Sequence, residues 1–194
     1  MKFVDLHKYG PLHRFADYHV YRTLLLLSDG KRRGRKHISE AVKVGEGSMR
    51  TILEHLREKR MIDIKQTGVK ISSRGLDYLK QLPIHLERLE PSDISIAERN
   101  VAVLVRDKAN LITLGIEQRD SAIRAGAEGA TTIIVAENKL MVPPDYCLDV
   151  ERPKISLELR NAFDPADRDV IIIGTATDYE SAEDGALAAA FELL

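Results

Sequence analysis

Between Gly45 and Arg57 the sequence GEGSMRTILEHLR interleaves polar side chains with Met49, Ile52, Leu53 and Leu56, which recur at spacings of 0, 3, 4 and 7. That recurrence places the four apolar residues on one helical face and turns Ser48, Arg50, Thr51, Glu54, His55 and Arg57 the other way. The chemistry available on the polar face is hydrogen-bond donation. A guanidinium such as that of Arg50 can give two parallel bonds to a guanine edge, a contact that discriminates between bases by about 1–3 kcal/mol. Ser48 and Thr51 can donate to phosphates or bases, and Gly45 and Gly47 leave room for close backbone approach.

Two further groups supply positive charge beside this face. The stretch Lys31-Arg32-Arg33-Gly34-Arg35-Lys36 packs five cations into six residues and reads as a solvated loop that grips phosphate. Lys65 and Lys70 flank Gln66-Thr67-Gly68, where Met61–Lys65 and Val69–Ile71 read as two strands of a hairpin. The DNA-contacting set expected on this basis is Lys31, Arg32, Arg33, Arg35, Lys36, Ser39, Gly47, Ser48, Arg50, Thr51, His55, Lys65 and Lys70. A solvent-facing basic surface used for protein contact is the plainer alternative.

The charge distribution agrees with a polyanionic partner. The whole chain of 194 residues has a net charge of −1. Residues 1–90 carry 19 Lys and Arg against 11 Asp and Glu, a surplus of eight positive charges, while residues 91–194 carry 10 against 19, a surplus of nine negative ones. A basic segment tethered to an acidic one suits a protein that brings one domain to nucleic acid and keeps the other away. Two domains are therefore expected, 1–90 and 91–194.

Other chemistries find little support. Residues 91–194 contain no nucleophile elbow, phosphate loop, dinucleotide fingerprint or zinc signature, so no catalytic residue and no cofactor is assigned. His7, His13, His19, His37, His55 and His85 lack the close pairing of a helical metal site, and no metal is expected. The single cysteine, Cys147, reads as a small buried apolar residue. Gln118, Arg119 and Asp120 form the most polar concentration of the acidic half, near an expected join of strand and helix on which Arg106 can converge. They are the candidate contacts for a small effector, with a helix start carrying a surface ion pair as the alternative. No apolar run approaches a membrane span and MKFVDLHKYG has no leader pattern, so a cytoplasmic protein without membrane contact is expected.

The elements needed to position these residues follow from periodicity. The first fourteen residues read as an arm, about Phe15 to Leu27 as a buried helix, and Ser39 as the cap of a short helix that Gly45 breaks. A second helix runs from about Glu46 to Arg60, and a helix to about Leu82 follows the hairpin. The segment around Leu82 to Ser92, with Pro83 and Pro91, reads as a linker or short bridging helix. Beyond it, Val101–Val105, Leu111–Leu114, Thr131–Val135 and Asp169–Gly174 read as strands. Gln118–Ala125, Lys154–Ala162 and Asp178–Leu194 read as helices, the last with a capping box at Thr177 and Glu180. The small residues Gly185, Ala186, Ala188, Ala189 and Ala190 permit the last helix to pack closely on the sheet or on a second subunit. The fold class expected is α+β, an N-terminal winged helix-turn-helix joined to a C-terminal α/β-type sandwich.

The segment EAVKVGEGSMRTILEHLREKRMIDIKQTGVKISSRGLDYL also resembles the winged-helix modules of bacterial and archaeal regulators, in particular the GntR type and the central glycolytic genes regulator. The resemblance covers about residues 15–82. It implies that Glu46, Gly47, Ser48, Arg50 and Thr51 stand at the entry of the recognition helix and that Lys65 to Lys70 form the wing. Glu46 departs from the GntR pattern, where a basic residue is common, so no phosphate contact is expected there. The whole chain resembles an archaeal family that joins such a module to an uncharacterised C-terminal domain. What the resemblance implies is a transcriptional role, without an effector. The reading adopted is a regulator of double-stranded DNA that works as a homodimer, with the second domain serving dimerisation, effector sensing or both. Two rival readings stay open, an enzyme with an appended winged helix and a protein-interaction module that binds no DNA.

Overall fold

The computed structural model describes residues 15–90 and 96–194. The expected arm, His7, His13 and the expected boundary at Pro91 lie outside the described residues. The chain divides into two units, Met1–Leu82 and Pro83–Leu194.

The first unit contains α1 (Asp17–Leu27), α2 (Arg35–Val42), α3 (Glu46–Glu58), the strands β1 (Ile62–Lys65) and β2 (Gly68–Ile71), and α4 (Ser73–Gln81). Val20, Leu24 and Leu27 are fully buried along one side of α1, and Ile38 and Val42 along one side of α2. The start of α2 corrects the expected cap. Gly34, in extended conformation, precedes the helix, and Ser39 lies inside it with its hydroxyl donating to the Lys36 carbonyl at 2.9 Å. Arg35 and Lys36 are good helix formers, so the first turn extends back into the basic stretch. Lys43 ends α2 in the left-handed region at φ 58°, and Gly45 precedes α3 rather than breaking α2. The two helices are thereby joined by three residues.

The hairpin pairs Ile62 with Ile71 and Lys65 with Gly68. Arg33 joins β2 through an isolated antiparallel bridge, exchanging backbone bonds of 2.9 and 2.8 Å with Val69. Gly68 sits at φ 119°, and a Cβ there would approach the Arg33 carbonyl oxygen to 2.7 Å, so this corner requires glycine. Ser72 starts α4, its Oγ accepting from the Gly75 N–H at 3.1 Å.

The second unit is built on β3 (Ile84–Leu89), β4 (Arg99–Val105), β5 (Gly129–Ala136), β6 (Lys139–Val142), β7 (Tyr146–Cys147) and β8 (Val170–Ala176). All pairs are antiparallel, in the order β3-β4-β8-β5-β6-β7. The helices are α5 (Ile116–Arg124), α6 (Leu148–Glu151), α7 (Pro153–Phe163) and α8 (Tyr179–Phe191). The molecule is a mixed α+β protein, and its second sheet is antiparallel throughout rather than of the α/β type.

Alternation divides the sheet into two apolar faces. Ala102, Leu104, Ile133, Val135, Ile171 and Ile173 pack with Leu148, Ile155, Leu159 and Phe163 from α6 and α7. Residues of opposite parity face α8 and α5. Gly174 permits that approach, since a Cβ there would lie 2.3 Å from the Ala182 carbonyl oxygen, and one at Gly185 would lie 2.4 Å from the Ala127 Cβ. Of the small residues of α8, Gly185, Ala186, Ala189 and Ala190 are buried within the chain, while Ala188 is half-buried.

Four expectations are corrected in this unit. The segment read as a linker or bridging helix is β3, an edge strand pairing Ile84 with Val105 and Leu89 with Asn100. Pro83 precedes that strand and Pro91 follows it, so neither removes a ladder bond within it. Leu111 and Leu114 form no strand. They are about half exposed, Leu111 at the end of a single tight turn, Ala109–Leu111. The cap of α8 is Asp178 rather than Thr177, its carboxylate accepting from the Ser181 N–H and hydroxyl, each at 2.8 Å. Cys147 is half-buried rather than buried.

Candidate nucleic-acid interface

The outward line of α3 is Gly47, Arg50, Glu54 and Arg57, all exposed, while Met49, Ile52, Leu53 and Leu56 anchor the opposite side in the core. A Cβ added at Gly47 would meet nothing within 4 Å, so the entry of the helix is open. Arg50 is 69% exposed and its Nε donates to Glu54 Oε1 at 2.9 Å. Ser48 and His55 are half-buried at the edges of the line. Thr51 is half-buried as well, and its hydroxyl turns back to the Gly47 carbonyl at 3.3 Å.

The basic stretch separates into two kinds of residue. Arg32 donates to the Gly68 carbonyl at 2.9 Å and forms a short ion pair with Asp63, which draws that carboxyl below its usual range. Arg33 makes bonds of 2.6 and 2.8 Å to the two carboxylate oxygens of Asp29. Hydrogen bonds from Arg33 and from the Lys31 N–H hold the Asp29 carboxyl far below the ordinary carboxylate range. These two guanidiniums tie the residues before α2 to the hairpin and to the end of α1; they are scaffold, not loose phosphate grips. Lys31 and Lys36 differ. They are 79% and 78% exposed, and their nearest carboxylates, Asp29 and Glu40, stand 3.9 and 4.0 Å away, distances at which water competes effectively.

Arg35 to Glu46 and Lys65 to Asp63 are likewise separated by 3.9 Å, and Lys70 is exposed on β2. Of the cations in the expected set outside α3, Lys31, Arg35, Lys36, Lys65 and Lys70 are therefore the exposed ones not held by a close ion pair. Ser39 leaves the expected set, since it is only 4% exposed and its hydroxyl is bonded within α2. The sequence reading overlooked Asp29 and Asp63, whose pairing decides the roles of Arg33 and Arg32. The four-residue spacing of Asp29 and Arg33 was the available signal, but both residues lie in the connection between α1 and α2, where the helical rule does not apply.

The expected effector cluster is not a single site. Arg106 donates to the buried carboxylate of Asp169 at 2.6 Å and to the carbonyls of Asp164 and Phe163 at 3.2 and 3.3 Å. Asp169 also accepts from the backbone of Asp107 at 3.0 Å and Ala166 at 2.8 Å, so this knot fixes the chain before β8. Gln118 is buried on α5, while Arg119 pairs with its neighbour Asp120 at 3.1 Å on the surface. Arg106, Arg119 and Asp120 are thus engaged locally, whereas the buried Gln118 Oε1 has no hydrogen-bond partner. A second knot places Asp149 between the Leu140 N–H at 2.9 Å, Arg160 at 3.0 Å and the Ser156 hydroxyl. Among the described residues no helix is long and apolar enough to cross a membrane, and no group of three His, Cys, Asp or Glu could hold a metal ion.

Comparison with known proteins gives two family matches. Residues 96–193 match the family described as a domain of unknown function, DUF4443, and residues 19–77 match the PH0730-like N-terminal domain. Among solved structures, hypothetical protein PH0730 from Pyrococcus horikoshii OT3 is similar, with a TM-score of 0.68, 28% identity and 90% of each chain covered. No curated protein matches the chain.

Proposed function

We propose that this chain, which belongs to the DUF4443 family, is a DNA-binding transcription regulator whose first unit is a winged helix-turn-helix. In this reading α3 enters the major groove, Arg50 contacts a base edge, and the β1–β2 hairpin is the wing. The observation that carries it is the exposed polar line of α3 together with a set of weakly paired cations in the same unit, Lys31, Arg35 and Lys36 before and at the start of α2 and Lys65 and Lys70 on the hairpin. Such an arrangement lets phosphates set position while the helix meets base edges. The acidic balance of residues 91–194 supports the division of labour, because a surplus of nine negative charges is repelled by a duplex.

The second unit, in this proposal, pairs two copies on a two-fold operator. Leu111, Leu114, Ile116 and Ile123 are each about half exposed at the start and along the outer face of α5, where apolar area is available to a second copy. Monomers both in solution and on DNA would remove the two-fold part.

The deciding experiment titrates the full chain against its own upstream DNA and a scrambled duplex across salt, with Arg50→Ala in parallel. A preference for the upstream duplex that Arg50→Ala reduces by about 10-fold or more supports groove reading. Equal binding to both duplexes, indifferent to Arg50, rejects it. Absence of binding at low salt moves the first unit to protein interaction.

A further inference from the structure

Resting on the DNA-binding reading above, we propose that Glu54 is a second specificity-determining residue, and that Arg50 and Glu54 together read two neighbouring base pairs, Arg50 a guanine and Glu54 the amino group of a cytosine. The two residues lie one turn apart on the exposed line of α3. Four residues of helix advance about 6 Å along the axis, yet the 2.9 Å bond between Arg50 Nε and Glu54 Oε1 draws the head groups together. That separation suits neighbouring base pairs, which are about 3.4 Å apart along the duplex.

The bond also sorts the donors. Glu54 takes Arg50 Nε, which directs Nη1 and Nη2 outward as the parallel pair that guanine O6 and N7 accept. Glu54, in turn, keeps acceptor capacity and has no donor when ionised. In the major groove its favourable partners are amino groups, with the cytosine N4 amino group the usual one for a carboxylate, whereas thymine O4 and guanine O6 repel it. A carboxylate 48% exposed on the reading face gains nothing from phosphates and loses its water on docking. The base opposite it therefore decides whether the complex forms.

The test uses the full chain and its Glu54→Gln variant in random-duplex selection, followed by competition titrations on the selected site and its single-base variants. The wild type is expected to select a guanine next to a cytosine and to lose about 10-fold or more when that cytosine is replaced by thymine. Glu54→Gln is expected to shift the preference at that pair towards adenine, which the amide pairs with bidentately, while guanine stays preferred at the Arg50 position. Identical base profiles for the two proteins overturn the assignment. So does uniform tightening on every duplex, which marks Glu54 as a mere repulsive charge. Either result with DNA binding intact leaves the proposed function standing, whereas no binding by either protein at low salt overturns both.

Discussion

Removing the weakly paired cations should change the salt dependence of DNA binding by a calculable amount, with little effect on the fold. Lys36, Lys65 and Lys70 are exposed, and for the first two the nearest carboxylate is no closer than 3.9 Å. Each phosphate that the protein ceases to neutralise lowers the slope of log affinity against log salt by about 0.9, so replacing all three lysines with glutamine should flatten it by about 2.7. Between about 50 and 200 mM salt, a fourfold change, that difference amounts to about 40-fold in affinity retained. The assay is fluorescence anisotropy on a labelled duplex at four or five salt concentrations, with circular dichroism to verify the fold. A slope equal to the wild type's, in a folded variant, would refute the assignment of these residues to phosphates. Arg33→Gln provides the contrast. It removes the two bonds to Asp29 and is expected to lower the melting temperature, because its guanidinium fastens the residues before α2.

His19 gives a pH prediction independent of DNA. Burial, reinforced by the charge of Arg22, lowers its pKa from 6.5 to about 4. The folded state therefore disfavours the protonated ring, so the stability contribution is complete above pH 6.5 and is lost as pH falls towards 4, by about 3 kcal/mol in all. Amide protection factors in α1 should fall between pH 7 and pH 4.5, less so in His19→Gln, and an NMR titration midpoint for His19 at 6 or above would contradict the account. In the second unit, Gly174→Ala places a methyl group 2.3 Å from the Ala182 carbonyl oxygen and 2.7 Å from the Ala186 nitrogen. A cost of about 1–3 kcal/mol is expected from such overpacking, visible as a lowered melting temperature, and an unchanged one would show that α8 can move away freely.

The helices of the first unit were legible because their buried residues are periodic. Met49, Ile52, Leu53 and Leu56 identify both the existence of α3 and the side it buries, and the structure keeps all four in the core. Boundaries were harder, since Arg35 and Lys36 look alike whether they open a helix or occupy a loop. In the second unit the central strands announced themselves as apolar runs, Val101–Val105 and Val170–Ile173. The peripheral strands did not. β3 reads Ile-His-Leu-Glu-Arg-Leu, polar enough for a solvated edge, and β7 has only two residues. β3 gains its ladder from β4 and β7 from β6, so pairing rather than composition distinguishes them from linkers.

Charge was visible at once, but its assignment depended on geometry. The stretch Lys31 to Lys36 holds five cations of nearly interchangeable appearance, and only the positions of Asp29 and Asp63 separate scaffold from surface. An arginine held by two bonds to one carboxylate must break them to reach phosphate, and the carboxylate left behind then repels the same strand. A lysine 4.0 Å from its nearest carboxylate faces no such cost. Arg106 teaches the same point in the acidic unit, where a polar residue expected to greet an effector instead closes carbonyls and the buried Asp169. In both cases what matters is whether an acid already occupies the guanidinium. On α3 the acid beside Arg50 is Glu54, itself on the exposed line, and its bond to Nε leaves the remaining donors of Arg50 directed at whatever meets the helix.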